Sequence, residues 1–263
     1  MIDVTNLIKE FGSGDKAEKV LDNVTCMVPN NAITGLFGRK KSGKTIALRI
    51  ITGVQSFTSG RVVIDGKEIN VDQQEAKKLF GYVPDSREQF QGLTGEQYLN
   101  FVADVYGVGK EERGQFIREY VHLLNVEKEL ENRMSDYSDG LYKKIMLMGA
   151  LIYNPRNLIL DNIFSSIDKK DAPVVRDILK KYSREGNAVL LSGSELSAAE
   201  GLCDRVIVLV KGQLKYEGSL GALKEKYPGI TNLEEIDMKL NEELEKLKEK
   251  DETVPVLRLW GGR

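Results

Sequence analysis

Residues 32–45 read AITGLFGRKKSGKT. Ala32–Phe37 is a short apolar run without polar alternation, the pattern of a strand buried on both faces of a mixed or parallel sheet. Gly38-Arg39-Lys40-Lys41-Ser42-Gly43-Lys44-Thr45 matches G-x-x-x-x-G-K-[ST]. The helix-like run TIALRIITG follows, with Gly53 placed to cap it. Strand, glycine loop and helix in that order are the context this motif requires. Backbone N–H groups in such a loop point inward and wrap a phosphate, and the helix N-terminus adds positive dipole. Lys44 is placed to reach terminal phosphates, and the Thr45 hydroxyl to ligate Mg²⁺. The Arg39-Lys40-Lys41 run adds charge suited to a polyphosphate, although a solvated basic turn reads the same way.

Outward from the loop, β-branched runs alternate with helical patterns. Ile2–Ile8 and Val20–Val28 precede it, with Pro29-Asn30-Asn31 as a turn. After it come strands at Arg61–Asp65, ending in the turn pair Asp65-Gly66, and at Phe80–Val83, closed by Pro84. From Thr94 to about Leu130 the spacing of Leu99, Val102, Ala103 and Tyr106 is helical, with no strand signal. Ser138–Tyr153 is a second helical stretch. Then follow strand Asn157–Leu160 ending at Asp161, helix Asp168–Tyr182, strand Ala188–Ser192, helix Glu195–Cys203 and strand Val206–Val210. This order predicts an α/β fold with a P-loop NTPase core. Its sheet is mixed but mainly parallel with crossover helices, begins with an antiparallel β section, and carries a helical lobe inserted at about residues 90–153. Leu233–Lys250 is a charged helix with a narrow apolar stripe, either solvated and packed along one seam or a partner-binding helix.

Composition narrows the class. The 263 residues are 41% apolar and 30% charged with net charge −2, which argues against nucleic acid as a partner. Cys26 and Cys203 are far apart and suggest neither a metal site nor a disulfide framework, but two buried thiols in a reducing compartment. The first residues, MIDVTNLIKEFG, do not read as a signal peptide. No run approaches the ~20 apolar residues of a bilayer-spanning helix. The only histidine, His122, falls in the helical lobe, where it reads as a surface or packing residue.

In order and spacing, the remaining segments resemble the nucleotide-binding domain of an ABC transporter across residues 1–225, leaving 226–263 as a charged helical tail. GYVPD at Gly81–Asp85 is similar to the segment that leads to the family's Gln-bearing loop. YSDGL at Tyr137–Leu141 is similar to its signature, NLILDN at Asn157–Asn162 to its Walker B strand, and SSID at Ser165–Asp168 to its D-loop. VLLSGS at Val189–Ser194 falls where the switch histidine sits, and CDRVIVLVKGQL resembles the closing strand pair. The resemblance implies ATP and Mg²⁺ as cofactors. It assigns ATP contacts to Phe11 (adenine stacking), Val20, Gly38, Lys40, Lys41, Ser42, Gly43, Lys44 and Thr45, and metal contacts to Thr45, Asp85 and Asp161. No ATP contact is assigned to position 46, which holds Ile46. Ser138, Asp139 and Gly140 would serve a partner subunit's ATP, and Ser138 also reads as a plain N-cap.

Departures from the family pattern fall mainly on the hydrolytic machinery. Asn162 stands where a general-base Glu is usual, and a carboxamide cannot accept a proton at neutral pH. Ser194 replaces the switch His, Asp85 the loop Gln, Asp139 the first signature Gly, and Lys41 a loop Gly whose positive φ a lysine tolerates poorly. Catalytic roles thus fall to Asn162, Ser194 and Asp168. Lys44, Thr45 and Asp161 remain intact for Mg-nucleotide binding. The expectation is an ATP-binding subunit with impaired hydrolysis, paired with a second, different ATP-binding subunit and with transmembrane permease subunits at the cytoplasmic face of the membrane. A slow homodimeric ATPase and a non-transport nucleotide-dependent regulator or scaffold stay open as alternatives.

Overall fold

The computed structural model describes residues 1–14, 17–230, 232–249 and 257–258. The tail reading spans 226–263, of which 231, 250–256 and 259–263 lie outside the described residues.

The chain opens with β1 (Ile2–Phe11), β2 (Glu18–Val28), β3 (Ala32–Phe37) and α1 (Lys44–Ile51). Next come β4 (Ser59–Ile64), β5 (Lys67–Glu68), α2 (Gln73–Lys77) and β6 (Phe80–Val83). The helical lobe holds α3 (Gly95–Val105), α4 (Lys110–Leu124) and α5 (Asp139–Leu151). It is followed by β7 (Asn157–Leu160), α6 (Ala172–Arg184), β8 (Ala188–Gly193), β9 (Arg205–Val210) and β10 (Gln213–Ser219). The chain closes with α7 (Leu220–Lys226), α8 (Leu233–Glu249) and β11 (Leu257–Arg258).

Two sheets form. The smaller is antiparallel in the order β2-β1-β4-β5. The larger runs β11-β10-β9-β3-β8-β7-β6, parallel from β9 through β6, with β9 and β10 antiparallel. Period-two alternation splits its strands between two cores. Ile33 and Phe37 join the core beneath the lobe helices, whereas Leu36 joins the one shared with the small sheet and α1. Every residue of β3 is buried, as an unalternating apolar run requires. The turns follow their chemistry. Asp65 (φ 44°) and Gly66 (φ 84°) close the β4–β5 hairpin, and Lys211 (φ 49°) and Gly212 (φ 80°) close β9–β10.

Several boundaries depart from the sequence expectation. The helix expected from Asp168 begins at Ala172, because the backbone N–H groups of Asp171 and Ala172 both turn back to the Asp168 carbonyl. The helix expected over Glu195–Cys203 is a single 3₁₀ turn at Leu196–Ala199; extended Glu200 and left-handed Gly201 (φ 67°) stop it. The long lobe pattern is two helices, broken at Gly107-Val108-Gly109. Of the two cysteines, Cys203 is buried but Cys26 only half so, since its strand belongs to the small outer sheet. Leu233, Ile236 and Leu240 of α8 are buried in the same core as the lobe helices. The apolar stripe from Leu233 to Leu240 is therefore covered by the body of the protein.

Candidate functional site

The glycine loop crosses from the C-terminal end of β3 to the start of α1, a concave place where a parallel sheet leaves room for a ligand. Lys41 does adopt the left-handed region, at φ 65°, a strain on the order of 1 kcal/mol for a non-glycine. Gly43 (φ 97°) cannot be replaced without displacement, since an added Cβ would lie 2.7 Å from Leu21 Cδ2. Gly43 is also the N-cap of α1, and no side chain caps that terminus. Its N–H groups are thus left to a ligand or solvent. The Gly212 N–H donates to the Ser42 carbonyl at 3.0 Å and ties the loop to the β9–β10 turn. The Lys44 ammonium donates to the Gly38 carbonyl, to the Arg39 carbonyl at 3.1 Å and to Ser42 Oγ at 3.3 Å. Burial holds the Lys44 pKa below its usual 10.5, against the opposing charges of Asp161 and Asp237. Asp237 belongs to α8 and also faces Arg39, Oδ2 to Nε 3.4 Å, so the tail helix reaches the loop.

A cavity of about 860 Å³ opens over the loop. Its walls include Val20, Lys40, Lys41, Ser42, Gly43, Lys44 and Thr45 from the expected nucleotide contacts. Ile46, to which the sequence reading gives no contact, also lines this wall, because it lies in the first turn of α1, directly above the loop. Asp85, Asp161, Asn162 and Ser194 face it as well, so the structure brings together expected residues from five separated segments. Lys19 and Lys211 add two cations that sequence reasoning did not single out. Phe11 is exposed at the end of β1, outside this lining, with Lys9 Nζ 4.8 Å from its ring centroid. Its strand partner Glu18 lies in the cavity wall.

Asp161 sits at the end of β7 and is 3% exposed. Ser192 Oγ donates to its Oδ1 at 2.6 Å and accepts the Asn162 N–H at 2.9 Å. Burial raises the Asp161 pKa above the usual 3.8; the Ser192 hydrogen bond opposes the rise. Asn162 is left-handed (φ 54°), a conformation that asparagine tolerates better than most residues. Its side-chain amide points toward Asp85 Oδ1 at 3.4 Å. Beneath them lies the ammonium of Lys143, from α5. It donates to Asp85 Oδ1 at 2.8 Å, to the Asn162 carbonyl at 2.6 Å, to the Asp161 carbonyl at 3.3 Å and to Ser165 Oγ at 3.4 Å. A magnesium ion fits the donor set of Thr45 hydroxyl, Asp161 and Asp85: all are hard oxygens, and Mg²⁺ normally uses one or two carboxylates with phosphate oxygens and water.

Ser138, Asp139 and Gly140 are elsewhere. They line a separate cavity of about 530 Å³ together with Asp168 and share no residue with the first. Ser138 caps α5, accepting the Leu141 N–H at 3.2 Å. Gly140 packs against the following loop so closely that a Cβ would come 2.5 Å from the Ser166 carbonyl oxygen. Arg87 holds Asp139 (2.6 Å) and the Tyr137 carbonyl (2.5 Å). His122 lies 91% exposed on α4, paired with Glu127, and takes no part in either cavity. A third, apolar cleft of about 290 Å³ lies between lobe and core, walled by Phe90, Tyr98, Phe101, Val105, Tyr106 and Tyr153.

Sequence reasoning missed Ser192, Lys143 and Arg87. Ser192 was inside a recognised segment, but its hydroxyl was indistinguishable from any strand serine. Lys143 and Arg87 act through residues 18 to 58 positions away in the chain.

The family described as ABC transporter matches residues 21–165. An ABC transporter ATP-binding protein of Methanocaldococcus jannaschii is 31% identical over 233 residues, covering 89% of this chain and 83% of that protein. A solved ATP-binding subunit of an ABC transporter superposes with TM-score 0.83 at 24% identity, covering 91% of this chain and 99% of that one. A dimeric ATP-binding cassette in a post-hydrolysis state, bound to ADP and Pi, superposes with TM-score 0.74 at 22% identity over 84% of this chain and 99% of its own.

Proposed function

This chain belongs to the ABC transporter family as an ATP-binding subunit, and on that premise we propose that it binds Mg-ATP but hydrolyses it weakly or not at all with its own residues, as one half of an asymmetric dimer. The observation that carries the reading is Asn162. It occupies the wall of the phosphate cavity beside Asp161, where a base would have to stand, and a carboxamide cannot take a proton from water. General-base help is typically worth ~10²–10⁴ in rate. Ser194 supplies the same wall with a hydroxyl in place of an imidazole. The carboxylates beside it serve otherwise: Asp161 is a metal ligand, and Asp85 is a metal ligand paired with Lys143.

ATP is held by the loop N–H groups, the α1 terminus and Lys44, with Thr45, Asp85 and Asp161 as the metal ligands. An Mg²⁺ held there would neutralise phosphate charge. Ser138, Asp139, Gly140 and Asp168 line a cavity apart from that site, an arrangement that supports their facing a partner's ATP across a dimer interface. Residues 1–225 make up the cassette and 226–263 a tail. The apolar cleft beside Arg87–Leu93 suits a segment of a transmembrane permease, which would hold the subunit at the cytoplasmic face of the membrane. Among the described residues no helix is long and apolar enough to cross a membrane itself.

The test restores the missing groups. ATPase rates are measured for the purified chain, for Asn162→Glu with Ser194→His, and for both with a co-purified cassette subunit. The expected result is negligible wild-type turnover and no gain in the restored variant unless the second subunit is present. A normal wild-type rate abolished by Lys44→Ala would refute impaired hydrolysis, and a large gain in the restored chain alone would favour a homodimer that has lost its base.

A further inference from the structure

We infer that Lys143 and Asp85 form one charge pair that sets how strongly ATP binding depends on Mg²⁺. The inference rests on the reading that the loop cavity takes ATP. Asp85 lines that cavity and its side chain is 50% exposed. A carboxylate facing a polyphosphate repels it unless a cation neutralises it. Lys143 is that cation: its side chain is 3% exposed and its Nζ lies 2.8 Å from Asp85 Oδ1.

The remaining contacts of the ammonium are the carbonyls of Asn162 (2.6 Å) and Asp161 (3.3 Å) and Ser165 Oγ (3.4 Å). With Asp85 these make four acceptors, more than its three N–H donors can fully serve. Lys143 therefore does not grip phosphate; it is a positioning residue that holds Asp85 and the end of β7 from behind. Because it sits on α5, the pair also joins the helical lobe to the segment that follows β6. Without the ammonium, Asp85 could be neutralised only by the metal. Without the carboxylate, a buried positive charge would remain behind the site and attract phosphate without any metal.

The two single variants should therefore move in opposite directions. ATP binding to the full-length chain is measured by calorimetric titration, once with EDTA and once with excess Mg²⁺. Lys143→Gln should increase the ratio of Mg²⁺-supported to Mg²⁺-free affinity by roughly tenfold, the scale of one partly screened charge at short range. Asp85→Asn should decrease that ratio. The double variant Asp85→Asn with Lys143→Gln should return it to near the wild-type value. General loosening of the fold would weaken both conditions alike and could not give opposite signs or recovery in the double variant. Equal losses with and without Mg²⁺ for Lys143→Gln, or a double variant as perturbed as the single, would overturn the inference while leaving the ATP site standing. Wild-type protein that binds no ATP under either condition would overturn both.

Discussion

Ser192→Ala removes two hydrogen bonds at once. The hydroxyl donates to the buried Asp161 carboxylate at 2.6 Å and accepts the Asn162 N–H at 2.9 Å. A hydrogen bond to a charged group is worth about 1.5–3 kcal/mol, and an orphaned, partly buried N–H adds about 1 kcal/mol. For a chain of this size about 3 kcal/mol lowers the melting temperature by roughly 6–12 °C. The pH dependence has a definite sign. Burial raises the folded-state pKa of Asp161 above 3.8, so the folded chain holds this proton more tightly than the unfolded one. That contribution to stability is fully present below the unfolded pKa and is lost as pH rises through the folded pKa. Ser192 opposes the shift, so alanine raises the folded pKa further. The melting difference between wild type and Ser192→Ala should be largest near pH 7 and shrink as pH falls and Asp161 is protonated. Ser192→Thr keeps the hydroxyl and suits strand β8, and should retain most of the stability. Differential scanning calorimetry from pH 4 to 8 reads all of this. An alanine variant that melts within about 1 °C of wild type throughout would refute the argument, since the bonds would then be worth less than about 0.5 kcal/mol.

Two further substitutions probe the signature and the tail. Gly140→Ala drives a Cβ to 2.5 Å from the Ser166 carbonyl oxygen, an overpacking cost of about 1–3 kcal/mol. Unchanged denaturant unfolding would show that the loop after β7 yields freely. Ile236→Ala empties a fully buried position of α8 and should cost about 2–5 kcal/mol in the same unfolding transition as the body of the protein. A tail that unfolds separately, leaving the main transition unmoved, would show that this contact does not belong to the cooperative core.

The reach of the sequence can be judged from particular elements. The glycine loop and its flanking strand and helix were legible because their signals are local: an unbroken apolar run, glycines at fixed spacing, then a helical pattern. Strands β3 and β7 and the turn Asp65-Gly66 come from such signals too. Where a local breaker was overlooked, the reading failed. The helix expected over Glu195–Cys203 is one turn that ends at Ala199, before extended Glu200 and left-handed Gly201. The expectation that Lys41 would resist a positive φ was met by a lysine at 65°, because the loop between β3 and α1 imposes that conformation.

By itself the sequence determined the α/β order, the phosphate loop, the intact Lys44, Thr45 and Asp161, and the absence of Glu and His from two positions, since each depends only on residue type and spacing. Tertiary structure alone decided which groups meet at the end of β7 and at the glycine loop. Ser192 on β8 reaches Asp161, Lys143 on α5 reaches Asp85, and Asp237 on α8 reaches Arg39. These pairs join strands and helices 31 to 198 residues apart in the chain, so no local periodicity encodes them. They exist because the parallel sheet brings the C-terminal ends of its strands to one edge, and the lobe and tail helices close over that edge.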